Sequence, residues 1–381
     1  MASLGVETIR YLEKNPVEGS DQIKFQDEGH KYWARSKYYD DWVSNSDGLG
    51  GLPLVSATGV LDKYFHFDRY GIALRIWNNP EKRHAMKYDM TYDYYGCESV
   101  DDIVNKWSKG AVEGTKLHAH YEDMANILEY DKDHPPDQGV KLMRHLYDEE
   151  KLTGFTEKTY FYEFVKKFGL DDPSSGMSFY RTELLLWHDV LHLSGTIDGL
   201  LYNAKDDSYV IVDWKRCKGG VKGDPKNPKK PVHLLAPQGR GFGLPAFEKL
   251  RNNSMNRYGC QLTFYKKLFE HMTGKRISGL YLVAIDSKLI GKKNALKIHH
   301  VPLTKYDECI RQAFEERARE MLGNCEDKLS DEHMDKLIDI VEQGEELRQR
   351  AVEVMMAKRE RDTDEDESDI ESESSKKQKT F

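Results

Sequence analysis

The chain has 381 residues, 39% hydrophobic and 32% charged, enough for one large domain or two modest ones with a real core. No run approaches the roughly 18 apolar residues of a membrane span, and the opening MASLGVETIRYLEKNP lacks the apolar stretch of a secretory signal, so an intracellular protein with no membrane partner is expected. The net charge of −8 says little about the folded body, because the tail from Asp362 carries eight acids and three lysines and leaves −3 on residues 1–361.

Residues 21–60 read as a small β region, in which IKFQDEGHKYWARS alternates in part and a polar, Gly-rich insert at 44–51 leads into LPLVSATGVLDKYF. From 67 to about 130 the pattern turns helical, with Ile72, Leu74, Ile76 and Trp77 among its apolar positions and a Tyr-rich polar loop, KYDMTYDYYG, inside it. Segments 137–150 and 157–168 read as amphipathic helices, the second with Tyr160, Phe161, Phe164, Val165 and Phe168 on one face. Strands are expected from about 180 to 215. The Gly-, Pro- and Lys-rich stretch that follows has too few apolar residues for a core and reads as a long mobile loop. A helix at 258–272, strands at ISGLYLVAID and LKIHHVPL, and helices at 306–322 and 331–361 complete the pattern, with Ser330 as N-cap of the last. The acidic tail is low-complexity and expected to be disordered.

Five cysteines lie singly, without a C-x-x-C pair, so they read as reduced thiols and indicate neither a zinc site nor a disulfide framework.

The chemistry concentrates in GTIDGLLYNAKDDSYVIVDWK, residues 195–215. Strand-forming residues flank a polar break, which marks a β-hairpin. A loop at 204–207 pairs Asn203 with Ser208 and, counting outward, sets Asp198 opposite Asp213. Like charges directly across a ladder destabilise it unless something positive lies between them. Period 2 puts Asp213 and Lys215 on one strand face, so two carboxylates and an ammonium meet at one strand end. Converging carboxylates are what Mg²⁺ (or Mn²⁺) requires, with water and phosphate completing its shell. A lysine beside them can orient or deprotonate a water, or offset charge on a phosphorane-like transition state. The implied reaction is phosphodiester hydrolysis. A solvated salt-bridge cluster is the plainer reading of the D-x-K triplet.

G-x-x-D followed by D-x-K resembles the core of the PD-(D/E)xK nuclease superfamily, and three further stretches resemble its RecB-like exonuclease branch. GTKLHAHYE fits G-x-x-x-H-x-x-x-E with Gly114, His118 and Glu122; YRTE supplies Glu183 on the preceding strand; CQLTFY fits Q-x-x-x-Y with Gln261 and Tyr265. His30, Tyr32, Ser56 and Thr58 are similar to N-terminal elements of related nucleases from large DNA viruses and phages. The resemblance implies that His118, Asp198 and Asp213 are metal ligands together with the Trp214 carbonyl, and that Lys215 is the catalytic lysine. Glu183 would hold a second ion or its water. Gln261 and Tyr265, one turn apart, would present an amide and a phenol to the scissile phosphate. Gly114, on the same helix face as His118, is expected to let that helix approach the sheet.

Lys218, Lys222, Lys226, Lys229, Lys230 and Arg240 in the long loop make an electrostatic footprint suited to a nucleic-acid backbone. Trp214, Phe242 and Phe247 are expected to stack bases of a single strand. The cysteines do not make the four-ligand cluster of the family's iron–sulfur members, so no iron–sulfur cluster is expected. No G-x-x-x-x-G-K-[ST] motif occurs, so a helicase, or other replication or recombination proteins, would be separate chains. KRER at 358–361 and the terminal KKQK are short basic clusters of the nuclear-import kind.

The expected architecture is α/β: a restriction-endonuclease-like mixed central sheet flanked by helices at 107–325, an N-terminal α+β wing at 1–106, a C-terminal helical extension at 326–361 and the tail at 362–381. The expected function is a metal-dependent deoxyribonuclease, an exonuclease on single-stranded or frayed DNA ends in replication, recombination or repair. A structure-selective endonuclease, or a nuclease fold kept as a DNA-binding scaffold without catalysis, are the alternatives.

Overall fold

A computed structural model describes residues 10–26, 28–29, 31–35, 52–65, 67–133, 157–217, 241–287, 295–325, 329–350 and 352–354. The insert at 44–51, the helix expected at 137–150, the lysine-rich loop with its six cations, His30 and the acidic tail lie outside the described residues.

The protein is α/β, with one mixed eight-stranded sheet. Three short strands come first: β1 (Ile23–Gln26), β2 (Lys31–Ala34) and β3 (Leu52–Ser56). Helices α1 (Ala57–Tyr64), α2 (Arg69–Trp77), α3 (Pro80–Tyr88) and α4 (Val100–Asp133) follow. The Tyr-rich polar segment between α3 and α4 forms turns, as its composition suggested. Helix α5 (Lys158–Phe168) ends at Gly169 in the left-handed region, an ordinary helix stop. The central strands are β4 (Met177–His188), β5 (Leu193–Asn203) and β6 (Ser208–Cys217). Helix α6 (Ser254–Thr273), β7 (Ile277–Asp286), β8 (Leu296–His300) and α7 (Asp307–Cys325) complete the order. Residues 331–350 are helical, and Ser330 Oγ accepts a hydrogen bond from His333 N at 3.3 Å, as expected of its cap.

Antiparallel pairing joins β1 to β2, β2 to β3, β4 to β5, β5 to β6 and β7 to β8; β3–β5 and β6–β7 are parallel. The parallel β6–α6–β7 unit explains why YVIVDWK and ISGLYLVAID are nearly continuous apolar runs: both faces of their strands are covered. On one face Val210, Val212 and Trp214 pack with Leu117, Tyr121 and Met124 of α4 and with Tyr160, Phe161, Phe164 and Val165 of α5. On the other, Tyr209 meets Phe269 of α6, ring centroids 5.3 Å apart.

The chain divides into two compact units, 1–37 with 41–310 and 38–40 with 311–381. Strands β1–β3 are hydrogen-bonded into the same sheet as the central strands, and the boundary expected at 106/107 falls inside α4. In the second unit the buried Glu315 of α7 collects Arg311, Arg319 and Arg348, so one carboxylate ties the helix at 331–350 to α7. Among the described residues no helix is long and apolar enough to cross a membrane.

Candidate metal-binding active site

The hairpin register is the one counted from the sequence: Asn203 pairs with Ser208 and Gly199 with Val212. One further step sets Asp198 against Asp213. On the other edge of β5, Thr182 pairs with Gly199 and Leu184 with Ile197, which places Glu183 opposite Asp198. Glu183, Asp198 and Asp213 therefore form a row of three acids across three neighbouring strands. Glu183 sits at φ 42°, a backbone region that favours glycine and that a glutamate keeps only when its surroundings hold it there.

The row lies in a fork of the sheet. Strand β4 occupies one edge of β5, so β3, paired at Leu193 and Ser194, and β6, paired from Gly199 on, must share the other. Residues 195–198 lie between the two. Beyond Val212, β6 leaves β5 and stays with β7 as far as Cys217–Asp286. The Trp214 N–H, which loses its ladder partner at the split, donates instead to Asp198 Oδ2 at 2.8 Å.

His118 reaches the fork from α4. Its Nε2 lies 2.8 Å from the Trp214 carbonyl oxygen and its Nδ1 3.6 Å from Asp198 Oδ2. Ligand atoms of His118, Glu183 and Asp198 all lie within 4.8 Å of one another. Asp213 sits one step deeper, 1% exposed. Its Oδ2 is 2.6 Å from Lys215 Nζ, and among the described residues neither of its oxygens makes a well-aligned hydrogen bond. Lys215 Nζ also lies over the Tyr258 ring, 4.9 Å from its centre.

The electrostatics follow from this crowding. Burial, with Asp198, Glu122 and Asp213 nearby, pushes Glu183 up to about 9. Burial raises Asp213 to about 6 even though Lys215 draws it down. Burial also works against the Lys215 charge, but Asp213 and Asp198 outweigh it and hold the ammonium above the ordinary lysine range. Glu122, on the His118 face of α4, is raised by burial and by Asp123.

A cavity of about 710 Å³ opens onto the row, lined by His118, Glu122, Glu183, Asp198, Lys215 and Gln261 among others. Tyr32 and Thr58 form part of its wall, with Tyr32 Oη 3.0 Å from Thr196 Oγ1, so the N-terminal strands help build the site. Ser56, grouped with Thr58 in the sequence, is the N-cap of α1 and accepts from Gly59 N at 3.1 Å. On α6, Gln261 Nε2 donates to Tyr265 Oη at 2.6 Å, and burial holds the phenol above its ordinary range.

Two expectations are corrected. Gly114 does not let α4 approach the sheet: a Cβ there would meet nothing within 4 Å, because the residue faces the cavity. The close approach is at Gly195, the glycine of G-x-x-D, where a Cβ would fall 2.5 Å from Tyr265 Cε1. Trp214 and Phe247 cannot stack bases, since both are core residues at 2% and 0% exposure; Phe242 is exposed. Tyr258, absent from the sequence reading, lies one helical turn before Gln261, so extending that helix face backwards finds it. Gly195→Ala should cost about 1–3 kcal/mol by overpacking against Tyr265. The shift of the urea midpoint measures it, and Tyr265→Leu in the same chain should recover part of the loss.

A donor set of three carboxylates, a carbonyl and an imidazole suits a divalent cation. The 2.8 Å between His118 Nε2 and the Trp214 carbonyl is close to the about 2.9 Å expected between neighbouring ligands of an octahedral Mg²⁺ with bonds near 2.1 Å. The buried Asp213 carboxylate, with Lys215 as its one close charge partner, is the atom set most in need of such an ion. Another grouping, His188, Asp189 and His271, satisfies itself: the two imidazoles stack at 3.6 Å and His271 Nε2 lies 2.7 Å from Asp189 Oδ1. The chain matches no protein-family model and no curated protein.

Proposed function

We propose that this protein is a Mg²⁺- or Mn²⁺-dependent nuclease of the PD-(D/E)xK kind, with a restriction-endonuclease-like core, that hydrolyses phosphodiester bonds of DNA. The observation that carries the reading is the row Glu183–Asp198–Asp213 across a forked sheet, with Lys215 2.6 Å from the last of the three. Three like charges in register are a liability in any sheet and a fitting site for a divalent cation.

His118, Asp198, Asp213, Glu183 and the Trp214 carbonyl would hold the ion. When bound, it supplies a Lewis acid for a phosphoryl oxygen and lowers the pKa of water. Lys215 enters as an ammonium rather than as a base, because Asp213 and Asp198 keep its proton on it. Its charge then opposes the negative charge that builds on the phosphate oxygens during displacement. The stacked Tyr258 ring and the Asp213 contact fix where that ammonium points. Gln261 gives one amide proton to Tyr265 and keeps its second for a phosphate oxygen. Degradation from single-stranded or frayed ends, in replication, recombination or repair and beside a separate helicase, is the role that the RecB-like resemblance implies.

The test is an oligonucleotide labelled at either end, single- and double-stranded, with Mg²⁺, Mn²⁺ or chelator. Short products that require metal are expected, and the label released first gives the polarity. Internal cuts would assign an endonuclease on the same site; tight binding with no cleavage under any metal would assign a scaffold.

A further inference from the structure

Helices α2 and α3 form a small lobe beside the cavity with its own core, in which Ala73, Met86, Cys97 and Ile103 are buried and Trp77 and Trp107 pack against them. In a chain of net charge −8, residues 69–88 carry five cations, Arg69, Arg75, Lys82, Arg83 and Lys87, against one acid, Glu81. All five are exposed. Large aromatic side chains that a small core would normally cover point outward with them: Phe67 is 55% exposed, Tyr70 57% and Tyr88 62%. Tyr70 and Leu74 stand one turn apart on the same face of α2. Cations accompany the rings, with Lys87 Nζ 5.3 Å from the centre of Tyr88 and the Arg83 guanidinium 5.4 Å from that of Trp77.

The lobe is tied to the site by α4. Arg69 Nη2 donates to Val104 O at 2.8 Å and Ser108 Oγ at 2.7 Å. The same helix then lines the cavity with Gly110, Ala111, Gly114 and Thr115 before it presents His118. From Trp107 to His118 the helix rises about 16 Å, which is about five steps of a nucleic-acid strand at about 3.4 Å each.

We propose that the α2–α3 lobe is a binding platform for single-stranded nucleic acid, which holds the strand about five nucleotides from the row of acids. This inference rests on the nuclease reading of the site and names the substrate form that it takes. Exposed rings interleaved with cations bind unpaired bases by stacking and their phosphates by charge, independently of sequence. A duplex keeps its bases stacked inside and offers these rings nothing.

Fluorescence anisotropy tests it, with a labelled oligothymidylate of about 20 nucleotides and the full chain carrying Lys215→Ala to prevent cleavage. Adding Tyr70→Ala with Tyr88→Ala should weaken binding about tenfold or more. Arg75→Glu with Lys82→Glu should lower the slope of log K against log salt by about one or more. A trinucleotide competitor, too short to span lobe and site, should bind all variants alike. Melting temperatures equal to the parent's establish that the variants are folded. If the parent binds the long strand and the variants bind it equally well, the platform is wrong and the site reading stands. If the parent binds no nucleic acid in low salt, the nuclease reading falls and the platform with it. A concentration-dependent dimer that the aromatic variants abolish would give the face to a second copy and overturn the proposal.

Discussion

Lys215→Ala is expected to lower the rate of metal-dependent cleavage by about 10²–10³-fold, the usual loss when one preorganised charge or donor is removed from a transition state. The side chain lies within 2.6 Å of Asp213 and is enclosed by the Tyr258 ring, so no other described cation stands ready to take its place. Cation binding should survive or tighten, because the substitution removes a positive charge from beside Asp213 and Asp198. That split separates a role in the reaction from a role in holding the metal. It also carries a cost without metal: Asp213, 1% exposed, would lose its one close charge partner, and breaking a buried pair typically destabilises by about 3–5 kcal/mol. Mn²⁺ calorimetry beside single-turnover cleavage measures both effects. Cleavage within threefold of wild type would remove Lys215 from the chemistry.

The hairpin was legible in the sequence because its signal is local. A polar four-residue break between strand-forming runs fixes the register, and with it the opposition of Asp198 and Asp213. The α5 face was legible for the same reason: period 3.6 sets Tyr160, Phe161, Phe164 and Val165 together, and all four are buried. The third acid of the row was not, since the partner of Glu183 depends on the β4–β5 register, and that shifts at a bulge between Phe179 and Arg181. The roles of the glycines were exchanged for a similar reason. Gly114 and Gly195 look alike in a string of letters, and only the approach of Tyr265 across the sheet distinguishes them. The burial of Trp214 follows from the strand's alternation, which groups it with Val210 and Val212; that neighbourhood outweighs the pull of a nearby basic loop on its interpretation.

The row of acids also predicts how stability depends on pH and metal. Glu183 is raised from 4.5 to about 9 and Asp213 from 3.8 to about 6, both chiefly by burial. In the unfolded chain both ionise near their ordinary values. Below about pH 4 both states hold these protons and the groups are neutral in their effect. As pH rises past the unfolded values the folded state keeps protons that the unfolded state has released, so stability falls with pH. The loss runs to about pH 6 for Asp213 and about pH 9 for Glu183. In chelator, then, Tm should decline between about pH 5 and pH 9, by about 5–10 °C if the loss is a few kcal/mol. Mg²⁺ or Mn²⁺ favours the ionised acids and must displace those protons, so the Tm increment it produces should grow over the same interval. Glu183→Gln removes one of the crowded charges. It should flatten the decline in chelator, raise Tm at about pH 9 and shrink the metal-induced increment. Differential scanning calorimetry of both chains across this range measures all three, and a Tm in chelator that rises with pH would contradict the crowded row.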